Sequence, residues 1–119
     1  MNHKEIRKKL HDRLNIIEPI PKKNLSIASI LRTEWCKEFI KHMRDKMLIG
    51  AFRYGRVRET AKTRDYVHGM RQRIKLYVET GNTEFLVDVA NFAMVEFMIS
   101  DHPKKHFKDT DDVVHLKEK

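Results

Sequence analysis

The sequence predicts an all-α fold, a small bundle of about four helices followed by a polar C-terminal tail. Apolar residues recur every three or four positions in several segments, and no useful length of sequence alternates apolar and polar residues as a strand would. The chain has 119 residues, of which 40% are hydrophobic, so we expect one compact domain. No run of 18 apolar residues occurs, so we expect no membrane-spanning helix.

The first predicted element is a basic N-terminal helix within residues 1–17. Ile6, Leu10 and Leu14 recur at helical spacing. Pro19 and Pro21 follow, and a proline lacks the amide hydrogen that a helix needs. We therefore expect a linker over residues 18–25 and a helical core over residues 26–99.

The core begins with a segment whose apolar face changes direction. From Trp35 to residue 49 one arc of the helical wheel is apolar, and Cys36 lies on it as a packing residue, but Ile27, Ile30 and Leu31 fall on the other side. We expect a kink, a separate short helix or an additional partner near residue 32. The main helix should cover residues 33–49 and end at Gly50, and residues 50–64 should form a connection with one turn of helix.

Two further helices are predicted over residues 65–80 and 83–99. Gly81 is a suitable C-cap for the first of them. The second is apolar around nearly its whole circumference, a pattern typical of a helix at the buried centre of a bundle. We therefore expect Met94 and Phe97 to be almost fully buried. The tail over residues 100–119 is polar and charge-balanced.

The charge of the chain is concentrated in its first half. Residues 1–60 hold 15 basic and 7 acidic side chains, whereas residues 61–119 hold 10 of each. A localised basic field attracts phosphates or acidic protein surfaces. The candidates for phosphate or nucleic-acid binding are interleaved with two aromatic residues and form one short segment: Arg53, Arg56, Arg58, Lys62 and Arg64. The alternative is a solvated loop.

A polar strip interrupts the apolar helix over residues 83–99. Glu84, Asp88 and Asn91 are spaced so that they share one face. Burying a carboxylate is costly unless a partner compensates it. The structural alternative is an ion pair between Asp88 and Arg73, and the functional alternative is a divalent cation held by Glu84 and Asp88.

Three sequence segments resemble one protein family. They are His-Met-Arg-Asp-Lys-Met (42–47), Glu-Thr-Gly-Asn (79–82) and Glu-Phe-Leu-Val-Asp-Val-Ala-Asn-Phe-Ala-Met (84–94). Their order resembles the MazG-like all-α nucleoside triphosphate pyrophosphohydrolases. The match is closest to small phage proteins of unassigned function that carry a pattern like that of residues 77–91, Tyr-x-x-Thr-Gly-Asn-x-x-x-Leu-x-Asp-x-Ala-Asn.

The resemblance implies a specific chemistry. Family members use two acid pairs on adjacent helices to hold Mg²⁺, and the second pair corresponds to Asp88 and, one position out of register, Glu84. The preceding helix carries Arg71, Arg73 and Lys75 where acids are expected. The fold is therefore expected to be retained and the catalytic activity to be degenerate.

We expect a phage-type accessory protein that binds a phosphate-bearing or acidic partner. The partner is a nucleotide, a nucleic acid or an acidic host protein, encountered in the host cytoplasm. One alternative is an active Mg²⁺-dependent pyrophosphohydrolase that borrows acids from elsewhere, and another is a structural interaction module. A homodimer would follow from the resemblance.

Overall fold

The computed structural model describes residues 2–14 and 25–110. These residues form six α-helices and one 3-10 turn, with no strand among them. The elements are α1 (His3–Leu14), α2 (Ile27–Glu34), α3 (Lys37–Tyr54), α4 (Val57–Thr60), the 3-10 turn (Ala61–Thr63), α5 (Tyr66–Thr80) and α6 (Glu84–Ile99). The all-α prediction is confirmed, and the described helices outnumber the four expected. None of these helices is long and apolar enough to cross a membrane.

The chain divides into two compact units. Among the described residues, one comprises residues 2–14, 25–35 and 106–110, and its helices are α1 and α2. The other, which we call the central unit, comprises Cys36–Lys105 and contains α3 to α6. Most of the predicted linker, residues 18–24, and the end of the predicted tail, residues 111–119, lie outside the described residues.

A separate short helix precedes the main helix, which is one of the three outcomes expected near residue 32. Helix α2 ends at Glu34, and both Trp35 and Cys36 have extended backbone. Cys36 is exposed and caps α3, because its Sγ accepts a hydrogen bond from the Phe39 amide at 3.3 Å. The prediction that Cys36 packs in the core was therefore wrong.

Helix α3 continues past the predicted stop at Gly50. It ends four residues later at Tyr54, and Gly55 follows with a φ of +89° that favours glycine. A glycine inside a helix costs about 1 kcal/mol relative to alanine, and α3 runs through Gly50 in spite of that cost. The predicted connection over residues 50–64 therefore begins as helix and contains α4 and the 3-10 turn.

Helices α5 and α6 form a close hairpin, and α6 also packs on α3. Asp65 caps α5 by accepting the His68 amide at 2.9 Å. Gly81 ends the helix in the left-handed conformation, as predicted, and its amide donates to the Tyr77 carbonyl at 2.7 Å. With so short a connection the two helices must be antiparallel neighbours.

The central unit buries less of α6 than the apolar sequence of this helix predicts. Among the described residues only Val87, Asn91 and Val95 are buried, and all three lie on one face of α6. Phe97 is 67% exposed and Met94 is half-buried. The prediction of a fully enclosed central helix was wrong for the described chain, because the main packing of α6 is against α3 and α5, and it leaves Phe97 and Met98 exposed.

Candidate functional site

The predicted polar strip of α6 faces a lysine of α3. The Lys46 ammonium lies 2.9 Å from Glu84 Oε1 and also contacts Asp88 Oδ1. Arg73 of α5 approaches the other oxygen of Asp88, with Nε 3.4 Å from Oδ2. The Asp88 side chain is only 17% exposed, so it needs the compensation that the two cations give. The cluster links all three long helices of the central unit.

The ion pairs change the titration of two groups in this cluster. Burial lowers the pKa of Lys46, but hydrogen bonds and charge interactions with Asp88 and Glu84 outweigh burial and raise that pKa above 10.5. The hydrogen bond from Lys46, followed by its charge, holds the pKa of Glu84 below its usual 4.5. At neutral pH the lysine therefore remains charged between two carboxylates.

The same arrangement does not fit the magnesium ion that the resemblance implies. Mg²⁺ requires about six oxygen ligands around it. Here Glu84 and Asp88 share the ammonium of Lys46, and Arg73 places a second positive charge beside Asp88. Within residues 2–14 and 25–110, no three His, Cys, Asp or Glu side chains gather where they could hold a metal. The structural alternative, an Asp88–Arg73 pair, is the one that the structure contains.

Asn91, the third member of the predicted strip, ties α6 to α3. Its Nδ2 donates to the Met43 carbonyl at 3.1 Å. Since a carbonyl can only accept, this contact fixes the orientation of the amide. The residue is 4% exposed, and its Oδ1 is buried without a hydrogen-bond partner among the described residues. An unpaired buried acceptor of this kind costs about 1–3 kcal/mol.

An open groove of about 930 Å³ lies beside this cluster within the central unit. Lys46, Asp88, Asn91 and Arg73 contribute to its wall, as do several aromatic residues. Arg73 lies over the Phe92 ring with its Cζ 5.4 Å from the ring centroid. Four basic and three acidic side chains line the groove, which gives it a formal charge of +1 with histidine neutral. The groove thus combines aromatic surface with a small excess of positive charge.

Two of the five predicted phosphate-binding residues line this groove. Arg53 comes from the last turn of α3, and Arg64 lies over the Tyr54 ring with its Cζ 5.3 Å from the centroid. Lys62 and Arg64 line a second, smaller groove of about 420 Å³ that also contains acidic side chains.

Arg56 and Arg58 line neither groove. All five basic side chains are exposed, as expected, and none forms an ion pair with a described residue.

Lys46 is the site residue that sequence analysis missed. The signal for it was present, because Lys46 follows Phe39 and Met43 along the apolar face of α3 at helical spacing. A lysine inside an apolar stripe needs a carboxylate partner. Without the tertiary structure, however, nothing identified Glu84 and Asp88 as that partner.

A scan against protein-family models and searches of curated proteins and of solved structures found no match to this chain. The MazG-like resemblance therefore remains a prediction from sequence.

Proposed function

We propose that this protein binds a phosphate-bearing small molecule, most simply a nucleotide, in the groove of the central unit. In this proposal it is a phage-type accessory protein on a MazG-like scaffold that has lost catalysis, and it acts in the host cytoplasm. The observation that supports the proposal best is the set of unpaired cations at the groove. Arg53 and Arg64 line it, are exposed and have no ion-pair partner among the described residues.

The internal ion pairs support a binding role over a catalytic one. Lys46 and Arg73 neutralise Glu84 and Asp88, so these carboxylates have little attraction left for a metal–triphosphate complex. The positive potential that remains comes from Arg53 and Arg64. Arginine suits this task, since its planar group forms paired hydrogen bonds with phosphate oxygens. Arg64 covers one face of the Tyr54 ring, and since Tyr54 is 60% exposed, a base can stack on the face that Arg64 does not cover.

The test compares two double variants that remove the same charge. Arg53→Ala/Arg64→Ala removes the groove-lining pair, and Arg56→Ala/Arg58→Ala removes two basic residues outside it. Isothermal titration with nucleoside triphosphates in EDTA should show at least about tenfold weaker binding for the first variant, a loss of roughly 1.4 kcal/mol. The second should stay within about threefold of wild type, since neither side chain lines the groove and charges in contact with solvent are partly screened.

Other results would assign a different function. Equal weakening by both variants, with steep salt dependence and preference for polynucleotides, would favour nucleic acid bound by a diffuse basic surface. Pyrophosphate released from a triphosphate in the presence of Mg²⁺ would favour the active pyrophosphohydrolase. If the protein binds no nucleotide, single strand or duplex at 50 mM salt, the structural interaction module would be the remaining function. Sedimentation velocity tests the homodimer that the resemblance implies.

A further inference from the structure

Helix α3 also has an exposed apolar face that does not line the groove. Leu48 and Phe52 lie four residues apart on this helix and are 60% and 91% exposed. Neither residue lines the groove, although most of their neighbours on α3 do. Single exposed apolar residues are ordinary on protein surfaces, whereas two large ones in contact range form a small patch. Burial of both would remove a substantial apolar area from water.

The unpaired charges of α3 nearest to this pair are positive. Arg44 precedes Leu48 by four residues and has no ion-pair partner among the described residues. Arg56, also unpaired among them, follows the end of α3. Asp45, the only nearby acid on the helix, is neutralised by Lys41 at 2.9 Å. The uncompensated charges nearest to the apolar pair along the chain are therefore those of arginines.

We propose that the exposed face of α3 formed by Arg44, Leu48 and Phe52, together with Arg56 two residues beyond the helix end, docks an acidic amphipathic helix of a partner protein; we call these four residues the α3 patch. Two apolar anchors one turn apart fit the contact between two crossing helices. Flanking arginines would pair with carboxylates at the rim of that contact. A second copy of this chain would bring arginine against arginine, which opposes self-association.

The geometry also distinguishes a helix from a lipid surface. A helix that lies in a membrane interface buries a wide apolar face over several turns. The α3 patch has two large apolar side chains within about one turn, about 6 Å of helix axis. This spacing of about 6 Å lies within the width of one crossing partner helix, about 10 Å.

The probe is a synthetic 18-residue amphipathic peptide with leucines on one face and glutamates on the other. Its matched control carries lysines in place of the glutamates. Fluorescence anisotropy should show saturable binding of the acidic peptide only. Leu48→Ala/Phe52→Ala should weaken that binding by at least about tenfold, because anchor residues dominate small interfaces. Arg44→Glu should weaken it and increase binding of the basic peptide.

Two controls distinguish peptide binding at the α3 patch from binding in the groove and from nonspecific apolar binding. Val78→Ala removes another exposed apolar side chain, on α5, and should leave peptide binding within about twofold of wild type. Leu48→Ala/Phe52→Ala should keep the wild-type melting temperature and nucleotide affinity, since both side chains are exposed and outside the groove.

Several results would overturn the proposal. Equal binding of the two peptides, or no binding of the acidic one at low salt, would exclude an acidic helix. Equal loss in Val78→Ala would indicate nonspecific apolar contact. Binding to phosphatidylserine vesicles that depends on Phe52, without peptide binding, would assign the face to lipid. Self-association that Leu48→Ala/Phe52→Ala abolishes would assign it to a second copy of the chain.

Discussion

Replacing Lys46 by methionine should destabilise the protein by about 2 kcal/mol. The methionine keeps much of the length of the side chain and removes its charge. An exposed ion pair contributes about 0.2–1 kcal/mol, and breaking a fully buried one costs about 3–5 kcal/mol. Asp88 is 17% exposed and keeps Arg73 at 3.4 Å after the substitution, so the cost should fall between those limits.

The loss should be coupled to Asp88. Asp88→Asn removes the carboxylate charge that Lys46 and Arg73 compensate. If the ion pair is the source of stability, Lys46→Met/Asp88→Asn should cost about 1–2 kcal/mol less than the sum of the two single variants.

Urea unfolding followed by circular dichroism at 222 nm measures these differences. With a denaturant slope of about 1–3 kcal/mol per molar, a loss of 2 kcal/mol moves the midpoint by roughly 1 M. Lys41→Met is the matched control. Lys41 forms its pair with Asp45 at the same 2.9 Å as the Lys46–Glu84 contact, but its side chain is 74% exposed, so its loss should cost less than about 0.5 kcal/mol.

The reasoning would be refuted by two results. Equal effects of Lys46→Met and Lys41→Met would show that burial of the cluster adds nothing to its strength. Strictly additive effects of Lys46→Met and Asp88→Asn would show that the two side chains do not stabilise each other. Either result would remove the structural explanation for the polar strip of α6.

Three other outcomes are expected from this packing. Asn91→Leu should stay within about 1 kcal/mol of wild type in urea unfolding, because it removes both a hydrogen bond and an unpaired acceptor. Asn91→Asp should lose more than about 3 kcal/mol of stability, because it introduces a buried charge. Gly69→Ala should lower the melting temperature, because the alanine Cβ would lie 3.0 Å from the Phe92 ring. In a Phe92→Leu background Gly69→Ala should instead raise the melting temperature, because alanine favours a helix over glycine by about 1 kcal/mol. The raised pKa of Lys46 gives stability that is complete below pH 10.5 and is lost as pH rises through the folded-state value, so urea midpoints of wild type and Lys46→Met should converge at alkaline pH. Urea midpoints of wild type and Lys46→Met that stay equally far apart at a pH above the folded-state pKa of Lys46 would contradict this expectation.

The arrangement of polar groups around Asp88 was only partly predictable. The spacing of Glu84, Asp88 and Asn91 on an apolar helix indicated that a partner must exist, and Arg73 was one of the partners expected. Lys46 was not among the expected partners, although helical spacing in the sequence places it on the apolar face of α3. Helical periodicity gives the direction of a side chain about its own axis, but it does not give the rotation of one helix against another.

The sequence by itself determined the helical segments and several of their ends. Hydrophobic periodicity, prolines and glycines determine the backbone conformation of residues near them in the chain. The bounds of α5 and α6 and the turn at Gly81 could therefore be predicted from nearby residues. The tertiary structure decided which apolar faces are covered: Val87 and Val95 became buried while Phe97 stayed exposed. It also decided that Lys46 lies between the two acids of α6. Burial and ion pairing depend on which helices meet and at what rotation, and contacts between residues about 40 positions apart set that rotation.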